Sequence, residues 1–353
     1  MVIIDEWVPE LTEAEVQTLI GMIELSKPVT TPNNTEYTFF PKMEADAKKY
    51  FGRFAVDWSK AYPNLIKKRL ITLSTAGIQL TGEGETIASK LRMERPPLWY
   101  TYQAYYRDIE QSAAHSEFCK KVFGENLGQD GFADMEQLHQ MIALLAIDQN
   151  SRVLDLGCGN GKMAEYISDH TGAQVFGIDY IPEAIRQAKA RTRQKIARLS
   201  FSVGNMNDLY FPEEYFDAVI SIDTFYMPKD LGKTVSRIMQ ILKRPGQMAA
   251  FYSQFDLDPS ACASSKQKGA EYTELANVFS QAGIKYQAYD LSMENHALMR
   301  RKNQVAQELK NLYLQEGNEF LYQKMIRESL EAGSVYDAKT CTIRRYLYHA
   351  LIK

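Results

Sequence analysis

The sequence predicts an α/β fold in which a parallel sheet carries helices on both faces. Residues 153–156, apolar except for Asp155, read as a buried strand, which ends in a turn with glycines at 157, 159 and 161 and opens a helix at about Lys162. A second strand-like run, residues 174–178, is closed by Asp179. This order of strand, glycine-rich turn, helix, strand and acid is typical of a sheet that binds a nucleoside-bearing ligand across its strand ends.

The spacing of the three glycines fits poorly with the two common phosphate-binding loops. A dinucleotide fingerprint that starts at Gly157 needs its third glycine at position 162, where this chain has Lys162. A P-loop counted back from Gly161 and Lys162 would need a glycine at Leu156, and Met163 stands where that loop has Ser or Thr. The ligand is therefore expected to lack a phosphate at this turn.

The pattern apolar-apolar-Asp155-x-Gly157-x-Gly159-x-Gly161 resembles motif I of the class I S-adenosylmethionine-dependent methyltransferases. The resemblance covers about residues 105–295, with the third strand and its loop expected at 200–206, the fourth strand at 215–221 and the turn into the fifth strand at 242–248. It implies a seven-stranded, mostly parallel Rossmann-like sheet whose last strand is antiparallel, and it implies S-adenosyl-L-methionine as the cofactor.

The same resemblance implies how the cofactor is held. Asp155 would hold the ammonium of its amino-acid tail, and Asp179 would accept both ribose hydroxyls. Tyr180 or Ile181 would flank the adenine, and Asn205 would bond its amino group. The predicted cofactor-binding residues are Asp155, Gly157, Gly159, Gly161, Asp179, Tyr180, Ile181, Asn205, Met206 and Ser221.

Composition describes an ordinary globular chain. Of its 353 residues, 45% are hydrophobic and 24% charged, and the formal net charge is -3, so no global charge attracts nucleic acid or an anionic membrane. No apolar run approaches the ~18 residues of a membrane-spanning helix. The first residues lack the basic region of a signal peptide. The four cysteines have no metal-ligand spacing, so reduced thiols, no metal site and a cytoplasmic location are expected.

Residues 1–95 do not resemble methyltransferase sheet. A helix that ends in Lys-Lys-Arg-Leu-Ile at 67–71, a short hairpin and Leu80-Thr-x-x-Gly84 resemble a mainly helical winged-helix domain. Residues 42–72 carry eight basic against three acidic side chains, which favours DNA contact. The negative overall charge favours a dimerisation or capping domain, as in small-molecule methyltransferases that carry a winged helix upstream.

Residues 96–140 are predicted to be a helical joint that covers the cofactor and substrate. Tyrosines cluster at positions 100, 102, 105 and 106, and the segment at 123–131 contains Phe-Gly-Glu-Asn. This segment resembles that of phosphoethanolamine, sarcosine and sterol methyltransferases, where it lies over the cofactor. Two departures make phosphoethanolamine doubtful as the acceptor. Leu127 replaces a tyrosine of the phosphoethanolamine enzymes, and no histidine follows the fourth strand at 223–227.

Residues 141–353 are predicted to form the methyltransferase domain, with a helical lid inserted at about 296–335 and a final edge strand at 341–352. The resemblance places Tyr226 beside the acceptor. Tyr106, His115 and His296 are further candidates to position or deprotonate the acceptor, although each of the three has a packing interpretation. The sequence predicts methyl transfer to a nitrogen, oxygen or carbon of a small molecule by in-line displacement.

The alternative function is a DNA-tethered methyltransferase or a cofactor-sensing regulator. The expected partners are a small-molecule acceptor and a second copy in a homodimer, with no membrane, and nucleic acid is disfavoured by the charge.

Overall fold

The computed structural model describes residues 10–25, 48–74, 77–255, 269–333 and 343–353. They belong to two compact units, residues 1–104 and 105–353. Parts of the predicted 1–95 domain, the end of the predicted lid at 334–335 and the first two residues of the predicted last strand lie outside the described residues. The remaining domain predictions stay predictions.

The first unit is mainly helical and contains a small hairpin. Its elements are α1 (Glu13–Leu25), a 3₁₀ helix (Lys49–Phe54), α2 (Ala61–Lys67), β1 (Ile71–Ser74), β2 (Gly77–Leu80), α3 (Gly82–Glu94) and the first half of α4 (Pro97–Ile109). Strands β1 and β2 pair antiparallel. The side chain of Thr81 accepts a hydrogen bond from Gly84 N and so caps α3. The order of helix, hairpin and helix agrees with the winged-helix-like prediction, which no further observation tests.

The second unit alternates strands and helices after a helical start. Its elements are the second half of α4, α5 (Ala113–Phe123), α6 (Met135–Leu145), β3 (Arg152–Leu156), α7 (Lys162–Thr171), β4 (Gln174–Asp179), α8 (Pro182–Arg191), β5 (Leu199–Val203), β6 (Phe216–Ile222), α9 (Leu231–Ile241), β7 (Leu242–Phe255), a 3₁₀ helix (Ala270–Tyr272), α10 (Glu274–Gln281), β8 (Tyr286–Asp290), α11 (Ser292–Glu308), α12 (Lys310–Gln315), α13 (Glu319–Gly333) and β9 (Ile343–Ile352).

The seven strands β3 to β9 form one sheet with the order β5-β4-β3-β6-β7-β9-β8. The pairs from β5 to β7 are parallel, whereas β9 is antiparallel to both of its neighbours. The predicted seven-stranded, mostly parallel sheet with an antiparallel last strand is confirmed. The prediction that this last strand forms an edge is wrong, because β9 lies between β7 and β8.

Burial explains why β9 is internal. Nine of its ten positions are buried or half-buried, so both faces of the strand are covered, whereas a half-exposed edge strand shows alternation. Its register with β7 runs from Gly246 opposite Ile352 to Phe255 opposite Ile343. Helices cover both faces of the sheet, and two apolar clusters fill the layers.

The strand order reverses next to β3. This strand pairs with β4 on one side and with β6 on the other, although β6 is not its neighbour in sequence. In open α/β sheets, the crevice outside the carboxyl ends of strands at such a switch point is where ligands bind. The fold therefore predicts a ligand site at the loops after β3, β4, β5 and β6.

Among the described residues, no helix is both long enough and apolar enough to cross a membrane. The cytoplasmic location stays a prediction.

Candidate active site

The turn after β3 is a tight glycine loop. Gly157, Gly159 and Gly161 all have positive φ angles, of 76°, 55° and 71°, which residues with a Cβ rarely adopt. A Cβ on Gly157 would lie 2.5 Å from the Thr224 side chain, and one on Gly159 would lie 2.6 Å from the Tyr106 hydroxyl. Gly161 is the N-cap residue of α7. Bare backbone at this turn and the start of a helix therefore line the end of β3.

Two buried carboxylates flank this turn. Asp155 in β3 is 2% exposed, and Asp179 at the end of β4 is 9% exposed. Asp179 accepts hydrogen bonds of 2.8 Å from Gly159 N and from Ile181 N. The second acid therefore braces the glycine loop as well as the start of α8.

Burial shifts both carboxylates toward the protonated form. It raises the pKa of Asp155 to about 7, and the charge of Asp179 raises it further. Burial raises the pKa of Asp179 to about 6, although the backbone N–H groups of Ile181, Gly159 and Tyr180 oppose this shift. Hydrogen-bond donors or a cation from a ligand would favour the ionised forms. An ammonium and a pair of ribose hydroxyls would supply these acids with the cation and the hydrogen-bond donors that favour their ionised forms.

The remaining predicted cofactor residues also follow the carboxyl ends of strands. Ile181 is buried and caps α8, and Tyr180 precedes it. Asn205 Oδ1 accepts from Asn207 N at 2.9 Å, which closes a turn two residues after β5. Ser221 in β6 is fully buried, and its hydroxyl lies 2.8 Å from that of Thr224. Met206 packs against the apolar cluster under β6 and β7. The structure thus gathers the predicted residues along one edge of the sheet.

A segment before α6 crosses this edge. A Cβ on Gly128 would lie 2.7 Å from the amide nitrogen of Asn160, and one on Gly131 would lie 2.5 Å from Asp223 Oδ2. Phe132 N donates to Asp223 Oδ2 at 2.9 Å. Residues 128–132, the covering segment, therefore run from the glycine turn after β3 to the loop after β6.

Two predicted catalytic tyrosines lie at the site. Tyr106 on α4 is 8% exposed, and its hydroxyl faces Gly159 across the gap that a Cβ would fill. Tyr226, in the loop after β6, accepts a hydrogen bond of 2.5 Å from Ser253 N in β7. Its ring lies 4.9 Å from that of Tyr252, and burial raises its pKa. The raised pKa keeps the Tyr226 phenol neutral at physiological pH, so it is suited to orienting an acceptor.

The two predicted catalytic histidines lie elsewhere. His115 is 1% exposed on α5, where its ring nitrogens lie 3.2 Å from the Tyr105 hydroxyl and 3.3 Å from the Tyr313 hydroxyl. Burial lowers the pKa of His115 to about 3, and Lys302 lowers it further, so the ring is neutral. His296 is half-buried on α11. The structure joins His115 to a buried polar cluster, and His296 to the helices inserted between β8 and β9.

An ion pair at the loop after β6 was missed by the sequence reasoning. Asp223, with a φ of 59°, pairs with both terminal nitrogens of Arg345 in β9, and that guanidinium is fully buried. Arg345 also donates to Gln137 Oε1 at 2.9 Å and lies 4.9 Å from the Phe251 ring. The available signal was an acid directly after β6, but its partner stood in a strand that was expected to be an exposed edge.

Comparison with known proteins agrees with this geometry. The family model described as "Methyltransferase domain" matches residues 153–246, which run from β3 into β7. The chain is 32% identical to sterol 24-C-methyltransferase of Pneumocystis carinii over 137 residues, 38% of this chain and 35% of that protein. It is 24% identical to phosphoethanolamine N-methyltransferase 1 of Arabidopsis thaliana over 190 residues, 54% of this chain and 35% of that protein. The chain thus spans about a third of the length of these relatives.

A solved structure shares the fold. Phosphoethanolamine N-methyltransferase 2 of Haemonchus contortus, in complex with phosphomonomethylethanolamine and S-adenosylhomocysteine, aligns with a TM-score of 0.56 at 19% identity. The alignment covers 70% of this chain and 59% of that one. Residues 153–246 match a methyltransferase domain, and the homologues and the shared fold support the class I S-adenosylmethionine-dependent type. The predicted family and cofactor class are therefore confirmed.

Proposed function

We propose that this protein transfers the methyl group of S-adenosyl-L-methionine to a small-molecule acceptor. The observation that carries the proposal is the glycine turn with its two buried carboxylates, at the switch point of a methyltransferase sheet. Relatives named as acting on a sterol and on phosphoethanolamine support a small acceptor.

The chain's own residues would hold the cofactor as follows. Asp155 would accept the ammonium of its amino-acid tail, and the bare backbone at Gly157 and Gly159 would admit that tail. Asp179 would accept the ribose hydroxyls through oxygens already oriented by two backbone N–H groups. Ile181 would flank the adenine together with Tyr180, and Asn205 and Met206 would meet its edge, with Ser221 supporting the loop after β6. When bound, the cofactor supplies an electrophilic methyl group and the sulfur leaving group.

On the acceptor side, the protein's task is to align the nucleophile and exclude water. Tyr106 and Tyr226 support this role because Tyr106 is buried at the glycine turn and Tyr226 is half-buried in the loop after β6. Catalytic roles for His115 and His296 stay predictions. A neutral His115 could accept a proton only if the acceptor reached the interior of α5.

We also propose that the first unit is a dimerisation or capping domain. Lys68, one of the basic residues expected to face DNA, is bound 2.9 Å from both carboxylate oxygens of Glu15, which is 1% exposed. This pair removes one cation from the surface that DNA would need. Sedimentation of the full chain should give a dimer. A monomer that is retained on heparin in a salt-dependent way would contradict the proposal.

Cofactor binding tests the function directly. Calorimetry should show that S-adenosyl-L-methionine binds the wild type at micromolar levels and that Asp179→Ala weakens binding by about tenfold or more, roughly 1.4 kcal/mol. Asp148→Asn is the matched control, because this exposed acid closes the turn before β3, at the opposite edge of the sheet. Unchanged affinity in Asp179→Ala would count against the proposal.

A further inference from the structure

The guanidinium of Arg345 in β9 forms hydrogen bonds through all three of its nitrogens. Nε donates to Gln137 Oε1 at 2.9 Å, and Nη1 and Nη2 donate to the two carboxylate oxygens of Asp223. Nη1 also donates to Ser253 Oγ at 3.3 Å. The Arg345 side chain has no exposed surface. A buried charge that loses a partner is costly, so the structure strongly favours the arrangement in which all of these contacts are made.

Two of the partners of Arg345 hold the same residue of the covering segment, Phe132. Phe132 N donates to Asp223 Oδ2 at 2.9 Å, and Gln137 Nε2 donates to the carbonyl of Phe132 at 3.1 Å. The Phe132 ring also lies 5.7 Å from the Arg345 guanidinium. Both backbone polar groups of Phe132 are therefore fixed by side chains that Arg345 itself fixes. The four residues Arg345, Asp223, Gln137 and Phe132 are called the Arg345 network.

The covering segment connects this network to the glycine turn. At the other end of the segment, Gly128 packs so closely that an added Cβ would lie 2.7 Å from the amide nitrogen of Asn160. A Cβ on Gly131 would lie 2.5 Å from Asp223 Oδ2, so the lack of a side chain at this position lets the segment reach that carboxylate. Strands β3 and β6 are paired at the switch point. The segment therefore bridges the crevice in which a ligand is expected to bind.

The two sides of the network differ in how firmly they are held. Arg345 lies in a strand that is paired on both sides, and its backbone N donates to Ser292 Oγ at 3.1 Å while its carbonyl accepts from Leu291 N at 2.8 Å. The covering segment belongs to residues 124–134, which contain no helix or strand. Loops open at a lower cost in free energy than paired strands. If the network opens, the part that moves is therefore the segment.

We propose that Arg345 is a positioning residue that holds the covering segment closed over the crevice, and that opening of the segment sets how fast the cofactor enters and leaves. This inference rests on the proposed function. Opening separates Phe132 from its two partners, while the ion pair of Asp223 with Arg345 stays in place. Arg345 also reaches Tyr226 through Ser253, whose N–H donates to the phenol oxygen at 2.5 Å. One side chain therefore positions both the segment and the phenol.

This role has a kinetic signature. If the cofactor passes only when the segment is open, the association and dissociation rate constants are both proportional to the fraction of open molecules. The network contains only groups of the protein, so weakening it raises that fraction with or without the ligand. Both rate constants should then rise by a similar factor, and the dissociation constant should change little. A merely structural defect would lower the fraction of protein that binds and would not make binding faster.

The test measures both rate constants for S-adenosylhomocysteine on the full-length protein by surface plasmon resonance. The variants are Arg345→Lys, which keeps the charge but lacks the planar set of donors, and Asp223→Asn, which removes the charge of the carboxylate. The matched control is Asp217→Asn. This acid lies near the other end of β6, where it pairs with Lys243 Nζ at 2.7 Å and accepts from the backbone N of Arg152 at 2.8 Å. The control therefore perturbs similar contacts away from the covering segment.

Hydrogen exchange followed by mass spectrometry measures opening of the segment itself. The wild type and Asp217→Asn should have the same rate constants and the same protection of the Phe132 amide. In Arg345→Lys and Asp223→Asn, both rate constants should rise about tenfold, as expected for the loss of one hydrogen bond to a charged group, and the dissociation constant should stay within about threefold. The Phe132 amide should exchange about tenfold faster, whereas the amide of Leu154 in β3 should keep its protection.

Three results would overturn the proposal. The first is that both variants have the rate constants of the control. The second is a change in only one of the two rate constants, because Arg345 would then act on contacts of the bound cofactor and not on its passage. The third is faster binding with unchanged exchange of the Phe132 amide. A wild type that does not bind S-adenosylhomocysteine would instead defeat the proposed function.

A further variant keeps the proposal testable if circular dichroism shows that Arg345→Lys and Asp223→Asn are unfolded. Gln137→Leu removes the hydrogen bond to the Phe132 carbonyl and leaves the ion pair of Asp223 with Arg345 intact. The same rise in both rate constants is expected for this variant. Rate constants equal to those of the wild type would overturn the proposal.

Discussion

Cofactor affinity should rise with pH, because Asp179 must be ionised to accept two ribose hydroxyls. In the protein without ligand, burial raises the pKa of this carboxyl to about 6. One unit below that value about a tenth of the molecules carry the ionised form, so affinity should fall about tenfold, or ~1.4 kcal/mol. Asp155, with a pKa of about 7, should add a second dependence that begins at higher pH, because its charged form binds the ammonium.

Calorimetry with S-adenosylhomocysteine between about pH 5 and pH 8 measures this dependence, since the shifted values of about 6 and about 7 lie in that interval. Repeating the titrations in buffers of different ionisation enthalpy counts the protons released on binding. The variant Asp179→Asn keeps the size of the side chain but cannot titrate, and its single acceptor oxygen can accept from only one of the two backbone N–H groups that Asp179 holds. Its pH slope should be smaller than that of the wild type by about one proton, and the remaining slope should belong to Asp155.

Two results would refute this reasoning. A wild-type affinity that stays flat from about pH 5 to pH 7 would mean that neither carboxylate changes its ionisation on binding. An Asp179→Asn protein with the full wild-type slope would mean that another group titrates. Either result would remove Asp179 from the ribose position.

Three further predictions concern stability and the glycine turn. His115 has a pKa of about 3 in the folded protein but about 6.5 in the unfolded chain, so between these two pH values only the unfolded chain binds a proton at this residue. The free energy of unfolding should therefore fall as pH drops from about 6.5 to about 3. In acid-unfolding experiments, His115→Phe should lose less stability over this range than the wild type. Glu328→Gln leaves the buried Lys302 ammonium without its carboxylate partner, so it should lower the free energy of unfolding in urea by about 3–5 kcal/mol. Lys302→Met removes the buried charge itself and should lower it far less. Equal losses in the two variants would contradict the ion-pair argument. Gly159→Ala should weaken S-adenosylhomocysteine binding more than the control Gly283→Ala. Gly283 also has a positive φ, but no atom lies within 4 Å of a Cβ added there. Equal affinities of the two variants in calorimetry would show that the turn tolerates a side chain.

The cofactor half of the domain was predictable because its signals are local. Residues 153–179 contain a strand, its turn, a helix and the next strand, and the glycines of the turn have positive φ angles. Periodicity also predicted a strand near β8, and the helical character of α11 and α13. These features depend on neighbours within about one turn or one strand length, which is what sequence patterns report.

The part of the site after β6 could not be predicted in the same way, because its interacting residues are far apart in sequence. Arg345 meets Asp223 across 122 positions, and Lys324 meets Asp130 only when α13 folds back over the covering segment. The alternation in residues 341–352 favoured an edge strand, but both faces of β9 (Ile343–Ile352) are buried. Local patterns report neither the partner of a buried charge nor the place of a strand in a sheet.

The internal place of β9 should make the folding of this protein sequential. Strands β3 to β6 are neighbours in the sheet and are synthesised before β9, so the part of the domain that binds the cofactor can form while the rest of the chain is still being made. Strand β9 then has to pair with both β7 and β8. This folding step is expected to be slow because it joins residues that are far apart in sequence. Until β9 pairs, Asp223 lacks its partner Arg345. A partly folded molecule should therefore be able to bind its methyl donor before the loop after β6 has its final structure.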